Sequence, residues 1–320
     1  MAEGAAGRLT RQGSWRGIRG SRDLMDLESR VPLSVLIAVR NEVRNLRRCM
    51  EPLAGWADEV VVVDSQSTDG TVTLAEAAGA VVLQFKYGGG WPKKREWALR
   101  THSWRNDWIL VLDADEILTE PLKHEIREAI CTTDRAGYWL SFQMVFLGRM
   151  LRHGDTELRK LSLFRRERGH YERRLLEQDL SMSDVEVHEH VVVDGRVGRI
   201  KNPGRHENWN SLDRYIAKHN EYSNWEASVF LDGSSDELRP SLTGNQAQRR
   251  RWLKQKFLML PGSPLWWFLH GYVIHFGFLD GRAGFVYATF RFVHTFQVKA
   301  KIVEQSMRRK PFQSRDTPHA

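Results

Sequence analysis

The sequence is poor in the residues and segments on which several classes of protein depend. Only Cys49 and Cys131 are cysteines, too few for a disulfide scaffold or a cysteine-built zinc site, and this fits a reducing compartment. No apolar run approaches the ~20 residues that a membrane-spanning helix needs, and the mean hydropathy is −0.49. The first 30 residues contain no apolar stretch, so we expect no secretory signal there.

The composition is that of a globular protein with a basic surplus. Hydrophobic residues make up 41% and charged residues 28% of the 320 residues, enough to bury a core in one large domain or two coupled ones. A net charge of +8 attracts phosphate groups on nucleic acid, on anionic lipid or on a phosphorylated substrate. Twelve tryptophans favour membrane interfaces and sugar-binding surfaces, where one side of the ring is apolar and the other wet.

Strand and helix patterns alternate through the first third of the chain. Apolar, β-branched runs occupy residues 33–39, 59–64, 80–85 and 108–112, and helical segments lie between them, one beginning near Pro92. Short connections between such elements predict βαβ units and an α/β fold with a doubly wound, mainly parallel sheet. The ligand crevice of such a sheet lies beyond the carboxyl ends of its strands.

Polar residues follow these strands at the expected crevice. Asp113 and Asp115 end the fourth strand, and two carboxylates so close repel each other unless a cation or proton lies between them. Mg²⁺ or Mn²⁺ bound together with a diphosphate removes the repulsion, although an exposed acidic loop is the plainer interpretation. The segment from Asp64 to Thr71 offers small polar groups for a nucleobase and ribose, or a turn and helix cap made by Asp69 or Thr71.

The histidines show no metal-binding pattern. His188-Glu189-His190 lacks the HExxH spacing, and by sequence alone Glu189 is a solvated carboxylate at a strand edge. His206 has no partner at a metal-ligand spacing, so we interpret it as structural.

The last third of the chain changes character. An arginine-rich and lysine-rich segment precedes the aromatic run of residues 264–276. Basic and aromatic residues side by side predict peripheral membrane contact through residues 249–276, and the alternative is an aromatic core helix. We expect a flexible basic extension at 1–30, a catalytic domain at 31–240, a basic and aromatic helical region at 241–305 and a disordered tail at 306–320.

Several motifs in order resemble glycosyltransferase family 2, whose members have the GT-A fold. Within it the chain is most similar to bacterial lipopolysaccharide-core glucosyltransferases and related surface-polysaccharide transferases, over residues 32–304. The matching segments are 34–42 (SVLIAVRNE), 56–71 (WADEVVVVDSQSTDGT), 94–99 (KREWAL), 113–116 (DADE), 146–149 (FLGR), 152–154 (RHG), 187–189 (VHE) and 277–284 (GFLDGRAG).

The resemblance implies a role for each matching residue. Residues 31–116 would form the nucleotide-sugar-binding half and 117–240 the acceptor half. Asp115 would bind a divalent metal, Mg²⁺ or Mn²⁺, and Glu189 would be the catalytic base. The remaining implied residues bind the donor: Glu42 and Asp64 at the nucleoside, Asp113 at the ribose, Lys94 and Arg95 by the diphosphate or sugar, and Ala38, Arg40, Ser65 and Ala114 around them.

The implied function is inverting transfer of a hexose from a nucleotide diphosphate sugar, with UDP as the expected nucleotide, to a glycan or glycolipid acceptor. We expect a cytoplasmic protein, peripheral on the cytoplasmic face of the inner membrane. Transfer to a polyprenyl phosphate is an alternative, and a protein that only binds nucleotide sugars is another. A non-catalytic nucleic-acid binder would explain the basic charge, but the acidic crevice motifs argue against it and no nucleic-acid module is recognised.

Overall fold

A computed structural model describes residues 30–88, 91–132, 134–172, 190–207, 211–232, 241–243 and 246–309. The predicted catalytic base Glu189, the basic extension up to residue 29 and the tail from residue 310 lie outside the described residues.

Strands and helices alternate along the first half of the chain, and helices dominate the end. The strands are β1 (Val31–Val39), β2 (Ala57–Asp64), β3 (Val81–Gln84), β4 (Trp108–Asp113), β5 (Glu116–Ile117), β6 (Gly137–Phe146), β7 (Arg149–Met150), β8 (Leu158–Arg165), β9 (Gly169–Tyr171), β10 (Val191–Val193), β11 (Val197–Arg199) and β12 (Gly204–His206). The helices are α1 (Val43–Met50), α2 (Thr71–Ala77), α3 (Lys94–Thr101), α4 (Glu120–Thr132), α5 (Leu212–Asp232), α6 (Gln246–Met259), α7 (Ser263–Leu269) and α8 (Gly281–Arg309).

A mixed sheet organises the catalytic part of the molecule. Its strands run in the order β3-β2-β1-β4-β8-β6-β12-β5, with β7 and β11 also paired to β6. The pairs among β1, β2, β3 and β4 are parallel, whereas β8 is antiparallel to both β4 and β6. The predicted α/β class and the parallel βαβ units are therefore observed, and the antiparallel strand β8 extends the sheet beyond β4.

The sheet is buried on both faces because its central strands are apolar throughout. Leu33, Val35 and Ile37 of β1 point into a core formed with α1, α2 and α4. The alternate residue Leu36 faces a second core with Ala98 of α3, as the two-residue period of a strand requires. Such continuous apolar runs are typical of parallel strands covered on both faces.

Two helix boundaries differ from the sequence predictions. Helix α3 begins at Lys94, two residues after the predicted start at Pro92. Helix α8 continues to Arg309, so the predicted boundary of the helical region at residue 305 is too early and 306–309 are helical. The apolar face of α8 packs against α5. Val298 and Ile302 of α8 form a buried cluster there with Ala227 of α5.

Candidate active site

Three parallel strands end together at the carboxyl edge of the sheet. In the register of the sheet, Ala38 at the end of β1 lies between Val63 of β2 and Asp113 of β4. Val39 lies beside Asp64. The polar residues that follow these strands, Arg40 and Ser65 among them, therefore surround one crevice, and Arg40 is exposed there.

Asp113 is held by two cations. Arg95 donates a short hydrogen bond to its Oδ1, and Nζ of Lys160 lies 3.0 Å from its Oδ2. Burial alone would raise the pKa of this carboxyl, but the positive charges of Lys160 and Arg95 outweigh that effect and hold it well below its usual range. Asp113 is therefore ionised at neutral pH.

Glu116 contacts the same lysine from a more deeply buried position. Nζ of Lys160 lies 2.6 Å from Oε2 of Glu116, which also accepts a hydrogen bond of 2.9 Å from the backbone N–H of Asp113. Burial raises the pKa of Glu116 to about 8. The negative charge of Asp113 raises this pKa further, whereas the positive charge of Lys160 lowers it. Lys160 belongs to β8, and no sequence motif drew attention to it.

Asp115 faces a histidine that sequence reasoning had set aside as structural. β12 pairs antiparallel with β5 and places Nδ1 of His206 3.6 Å from Oδ1 of Asp115. Both side chains are nearly buried, and Nδ1 of His206 has no hydrogen-bond partner among the described residues. A carboxylate oxygen and an unsatisfied imidazole nitrogen this close are suitable ligands for a divalent cation such as Mn²⁺.

The crevice carries no larger metal-binding cluster of side chains. Within the part of the chain that the structure describes, no group of three or more His, Cys, Asp or Glu side chains could hold a metal ion. A cation at Asp115 and His206 would thus take its remaining ligands from water and from phosphate oxygens, which is the usual arrangement for Mg²⁺ and Mn²⁺ beside a diphosphate.

Helix α5 covers the crevice with positive charge. Burial raises the pKa of Glu42, whose Oε2 accepts a 2.7 Å hydrogen bond from Asn45, and the charge of Asp115 raises it further. Lys218 of α5 acts in the opposite direction on Glu42, and it also interacts electrostatically with Asp113 and Asp115. Glu42, both DxD carboxylates and Lys218 therefore face the same space.

The loop after β2 is ordered by its own side chains. Oδ2 of Asp64 accepts a 2.9 Å hydrogen bond from the backbone N–H of Ser67, and the Asp64 side chain is fully buried. Oδ1 of Asp69 accepts a 3.0 Å hydrogen bond from the backbone N–H of Thr71. Asp69 therefore stabilises the turn before α2, which is the turn and helix cap that the sequence predicted as one alternative. Ser65 Oγ is buried with no hydrogen-bond partner in the described ranges.

Lys94 and Arg95 of α3, both predicted to bind the nucleotide sugar, have different environments. Lys94 is completely buried, and its Nζ donates a 2.7 Å hydrogen bond to the carbonyl oxygen of Val39 at the end of β1. Arg95 is also buried but extends to Asp113 at the crevice. Ala114, between the two aspartates of the DxD sequence, is buried in the turn after β4.

The segment next to Glu189 connects to this site. His190, its neighbour, donates from its backbone N–H to Oε1 of Glu172 at 3.2 Å. β9 and β10 form a hairpin whose Tyr171 receives the guanidinium of Arg95 over its ring, 5.9 Å from the centroid. The described residues on both sides of segment 173–189 are thus linked through Tyr171 to Arg95 and the Arg95–Asp113 pair.

The C-terminal helices differ in charge and in exposure. Between residues 238 and 303 the sequence has one acidic residue, Asp280, and ten lysines and arginines. Many large apolar side chains of this region are exposed: Leu253, Met259, Leu260, Leu265, Trp266, Leu269, Val273, Ile274, Phe276, Phe278, Leu279, Phe285, Val293, Phe296 and Val303, which we call the apolar surface. No helix among the described residues is both long and apolar enough to cross a membrane.

Asp280 joins this region to the sheet. Its buried Oδ2 accepts hydrogen bonds from the backbone N–H groups of Arg152 and His153, at 3.1 and 2.9 Å. The N–H of Gly154 donates to the carbonyl oxygen of His275 at 2.8 Å. The segments 152–154 and 277–284, both singled out by the sequence resemblance, are therefore two sides of one contact.

Several known proteins similar to this chain over most of its length are described as glycosyltransferases. Residues 34–191 match the family model described as Glycosyl transferase family 2. The lipopolysaccharide core biosynthesis glycosyltransferase LpsC of Rhizobium meliloti is 29% identical over 86% of this chain and 93% of its own length. An uncharacterized glycosyltransferase of Rickettsia bellii is 26% identical over 87% of this chain and 88% of its own length.

Among solved structures, the mannosyltransferase PcManGT from Pyrobaculum calidifontis, in complex with GDP-Man and Mn²⁺, covers 86% of this chain and 88% of its own, with 12% identity and a TM-score of 0.47. The matched residues 34–191 contain the parallel strands β1–β4 and the crevice at their ends. The family match over these residues and the mixed sheet agree with the GT-A fold that the resemblance predicted.

Proposed function

Because residues 34–191 form a glycosyltransferase family 2 domain, the protein is a glycosyltransferase, and we propose that it transfers a hexose from a UDP-sugar to a hydroxyl group of a lipopolysaccharide-core or other cell-surface glycan. The observation that carries this proposal is the meeting of Asp113, Asp115 and His206 at the ends of parallel strands. Similarity to LpsC supports the acceptor class. A non-catalytic nucleic-acid binder does not account for these residues.

The donor would bind along the strand ends. Ser65 Oγ, buried and without a partner among the described residues, is available to a nucleobase next to Asp64, whose backbone lies beside Val39 of β1. Glu42 and Asp113 would hold the nucleoside, while Ala38, Arg40 and Ala114 line its path. Arg95 extends to the crevice and suits the diphosphate, whereas the buried Lys94 would act by fixing the end of β1.

A divalent cation would be held by Asp115 and His206. Bound there with the donor diphosphate, Mg²⁺ or Mn²⁺ supplies positive charge where the leaving nucleotide becomes more negative. Lys218 of α5 adds fixed positive charge at the same place. These groups stabilise the transition state more than the ground state because the leaving group gains charge as the glycosidic bond breaks.

Transfer with inversion needs a base for the acceptor hydroxyl. We assign this role to Glu189, which takes the proton while the acceptor oxygen attacks the anomeric carbon and the nucleotide diphosphate departs. The contact of its neighbour His190 with Glu172, next to the Tyr171–Arg95 pair, supports the assignment. We expect Glu189→Gln to leave donor binding unchanged and to lower transfer at least ~100-fold. Wild-type transfer by this variant would exclude Glu189 as the base.

A thermal-shift panel tests donor and metal together. Nucleotide diphosphate sugars are added with Mn²⁺ or with EDTA, and the hits are then assayed for sugar transfer. We expect a UDP-sugar to raise the melting temperature only with the metal, because the cation would join the donor diphosphate to Asp115 and His206. The metal alone should have little effect, because these two side chains supply too few ligands to hold it. Extraction of a labelled product into organic solvent would indicate a polyprenyl phosphate acceptor.

The acceptor would be met at a membrane. The apolar surface, in a stretch of sequence with ten lysines and arginines and one buried acid, suits peripheral contact with anionic lipid through 249–276 and on into the start of α8. This agrees with a location on the cytoplasmic face of the inner membrane.

Co-flotation with vesicles tests the contact. Binding to vesicles containing phosphatidylglycerol should exceed binding to phosphatidylcholine and fall with salt. Phe276→Ser, in an exposed position, should weaken binding by about tenfold. Equal binding of both vesicle types would contradict the electrostatic part of this proposal.

A further inference from the structure

A second cavity lies in the helical region, separate from the carboxylate crevice. It has a volume of about 650 Å³, is open on one side, and lies between α5, α6 and α8, with Trp267 of α7 in its lining. Pockets that bind small molecules have volumes of roughly 300 to 1,000 Å³. The family motifs around the DxD sequence do not involve its lining.

The wall of this cavity is mainly hydrocarbon and aromatic. Phe257 and Leu258 of α6 face Tyr287, Phe290 and Val298 of α8 across it. A saccharide would need a hydrogen-bonding partner for nearly every hydroxyl group, and this wall offers few. An apolar occupant gains free energy in proportion to the surface that it removes from water.

The polar groups in the wall are engaged with one another. Arg291 donates a 3.1 Å hydrogen bond to the carbonyl oxygen of Gly154 and lies over the ring of Trp267. Nε2 of His294 lies 3.7 Å from Oε1 of Glu226. Nδ1 of His294 is buried without a hydrogen-bond partner in the described residues, which leaves one polar contact for the end of a chain-like ligand.

The mouth of the cavity adjoins the apolar surface. Leu253 lines the cavity and is 58% exposed. Phe257 in the wall is in ring contact with the exposed Trp266, with centroids 6.3 Å apart. A hydrocarbon chain can therefore pass from a membrane at this surface into the cavity without crossing water.

Helix α5 relates the cavity to the sugar-transfer site. Tyr215 and His219 line the cavity. Lys218 and Tyr222 of the same helix interact electrostatically with Asp113 and Asp115. Residues three and four positions apart share one side of a helix, so these four residues lie on one side of α5, and both the cavity and the crevice adjoin that side.

We propose that the cavity between α5, α6 and α8 binds one hydrocarbon chain of a glycolipid acceptor. This inference rests on the proposed function, which makes the acceptor a glycan that is attached to lipid. The bound chain would fix the position of the acceptor relative to the crevice, and the protein would thereby prefer lipid-linked acceptors over free oligosaccharides.

Binding of a fluorescent sixteen-carbon fatty acid tests the proposal without sugar donor or membrane. Leu253→Asp places a charge at the mouth and should weaken binding at least tenfold. Met259→Asp is the matched control, since Met259 lies on the same helix, is 55% exposed and does not line the cavity. Alkyl maltosides should displace the probe, with affinity rising about fourfold per methylene.

Three results would overturn the proposal. They are equal binding by Leu253→Asp and Met259→Asp, affinity independent of chain length, and displacement of the probe by an oligosaccharide without lipid. A photoreactive fatty acid gives a second readout, because it should label peptides within 287–298, and labelling confined to other peptides would also contradict the proposal. Nucleotide release from donor sugars is measured separately, so failure of the proposed transfer reaction is distinguishable.

Discussion

The crevice and the C-terminal helices differ in the kind of side chain that each holds in an unfavourable environment. At the crevice, the carboxyl groups of Glu116, which is buried, and Asp113, which is half-buried, share the ammonium group of Lys160. In the helices, large apolar side chains such as Trp266 and Phe276 are exposed to water, in a part of the sequence that is rich in lysine and arginine. Each arrangement is unfavourable for the isolated chain, and the proposed ligands would offset this cost, a diphosphate with its cation at the first and a lipid surface at the second.

The two regions also differ in how they are built. The crevice forms from residues at the ends of neighbouring strands, so it is as rigid as the sheet. The helical region is attached through a buried apolar cluster of Met144, Phe146 and Leu151 with Ala283 and through the buried carboxylate of Asp280. Gly277 and Gly284 allow this attachment because a Cβ on Gly284 would lie 2.0 Å from the carbonyl oxygen of Gly277.

The largest expected effect is at the crevice. Asp115→Ala removes a carboxylate that would hold the metal, and we expect sugar transfer to fall by at least ~1,000-fold, comparable to loss of a main electrostatic contact in other active sites. Initial rates with saturating Mn²⁺ measure this. Asp134→Ala, at an exposed ion pair with Arg196, is the matched control and should retain wild-type activity. Substantial metal-dependent transfer by Asp115→Ala would refute the metal assignment.

Removal of the shared lysine should have the next largest effect. Lys160→Met removes the cation that contacts both Asp113 and the buried Glu116, and we expect the free energy of unfolding to fall by about 3 kcal/mol. Chemical denaturation measures it. Because Glu116→Gln removes one of the two carboxylates, the double variant should recover part of the loss. If the change in the free energy of unfolding of the double variant equals the sum of the changes of the two single variants, Lys160 and Glu116 are not coupled.

Loss of the attachment at Asp280 should be smaller and confined to the helices. Asp280→Ala leaves the N–H groups of Arg152 and His153 unsatisfied, at a cost of about 2 kcal/mol. Limited proteolysis should then cut the helical region faster, while UDP-sugar binding persists. Loss of donor binding in a folded variant would show that the two regions are more strongly coupled than their contacts indicate.

The smallest expected effect concerns pH. Burial lowers the pKa of His219 to about 4, with the charges of His294 and Lys218 adding to the shift. The unfolded chain binds a proton near pH 6.5, so this histidine stabilises the fold fully above pH 6.5 and loses that contribution as the pH falls toward 4. The melting temperature of His219→Gln should therefore fall less than that of the wild type across this window. Parallel curves would contradict the assignment.

The sequence was most informative where contacts are local. Asp113 and Asp115 could be placed at the crevice because an apolar strand ends immediately before them, and the parallel arrangement of strands β1–β4 followed from the alternation with helices. His206 and Lys160 could not be placed in this way. Each reaches the site through pairing of strands distant in sequence, β12 with β5 and β8 with β4, and no spacing pattern encodes such pairings.

The helical region was harder to interpret from sequence for a different reason. Periodicity identifies an amphipathic helix but does not say whether its apolar face is covered by protein or exposed. Trp267 and Phe290 line an internal cavity, whereas Trp266 and Phe276 face outward, although all four belong to the same aromatic-rich stretch and the helix after it. Tertiary packing alone separates these two groups.

The central claim is that Asp115 and His206 hold a cation that assists departure of the nucleotide from a sugar donor. Nucleotide release from a panel of nucleotide diphosphate sugars tests it most directly, with Mn²⁺ or EDTA and with wild type, Asp115→Ala and His206→Ala. We predict release from a UDP-sugar by the wild type with Mn²⁺, and a large loss with EDTA or with either variant. Release that is unaffected by EDTA and by both substitutions would contradict the account.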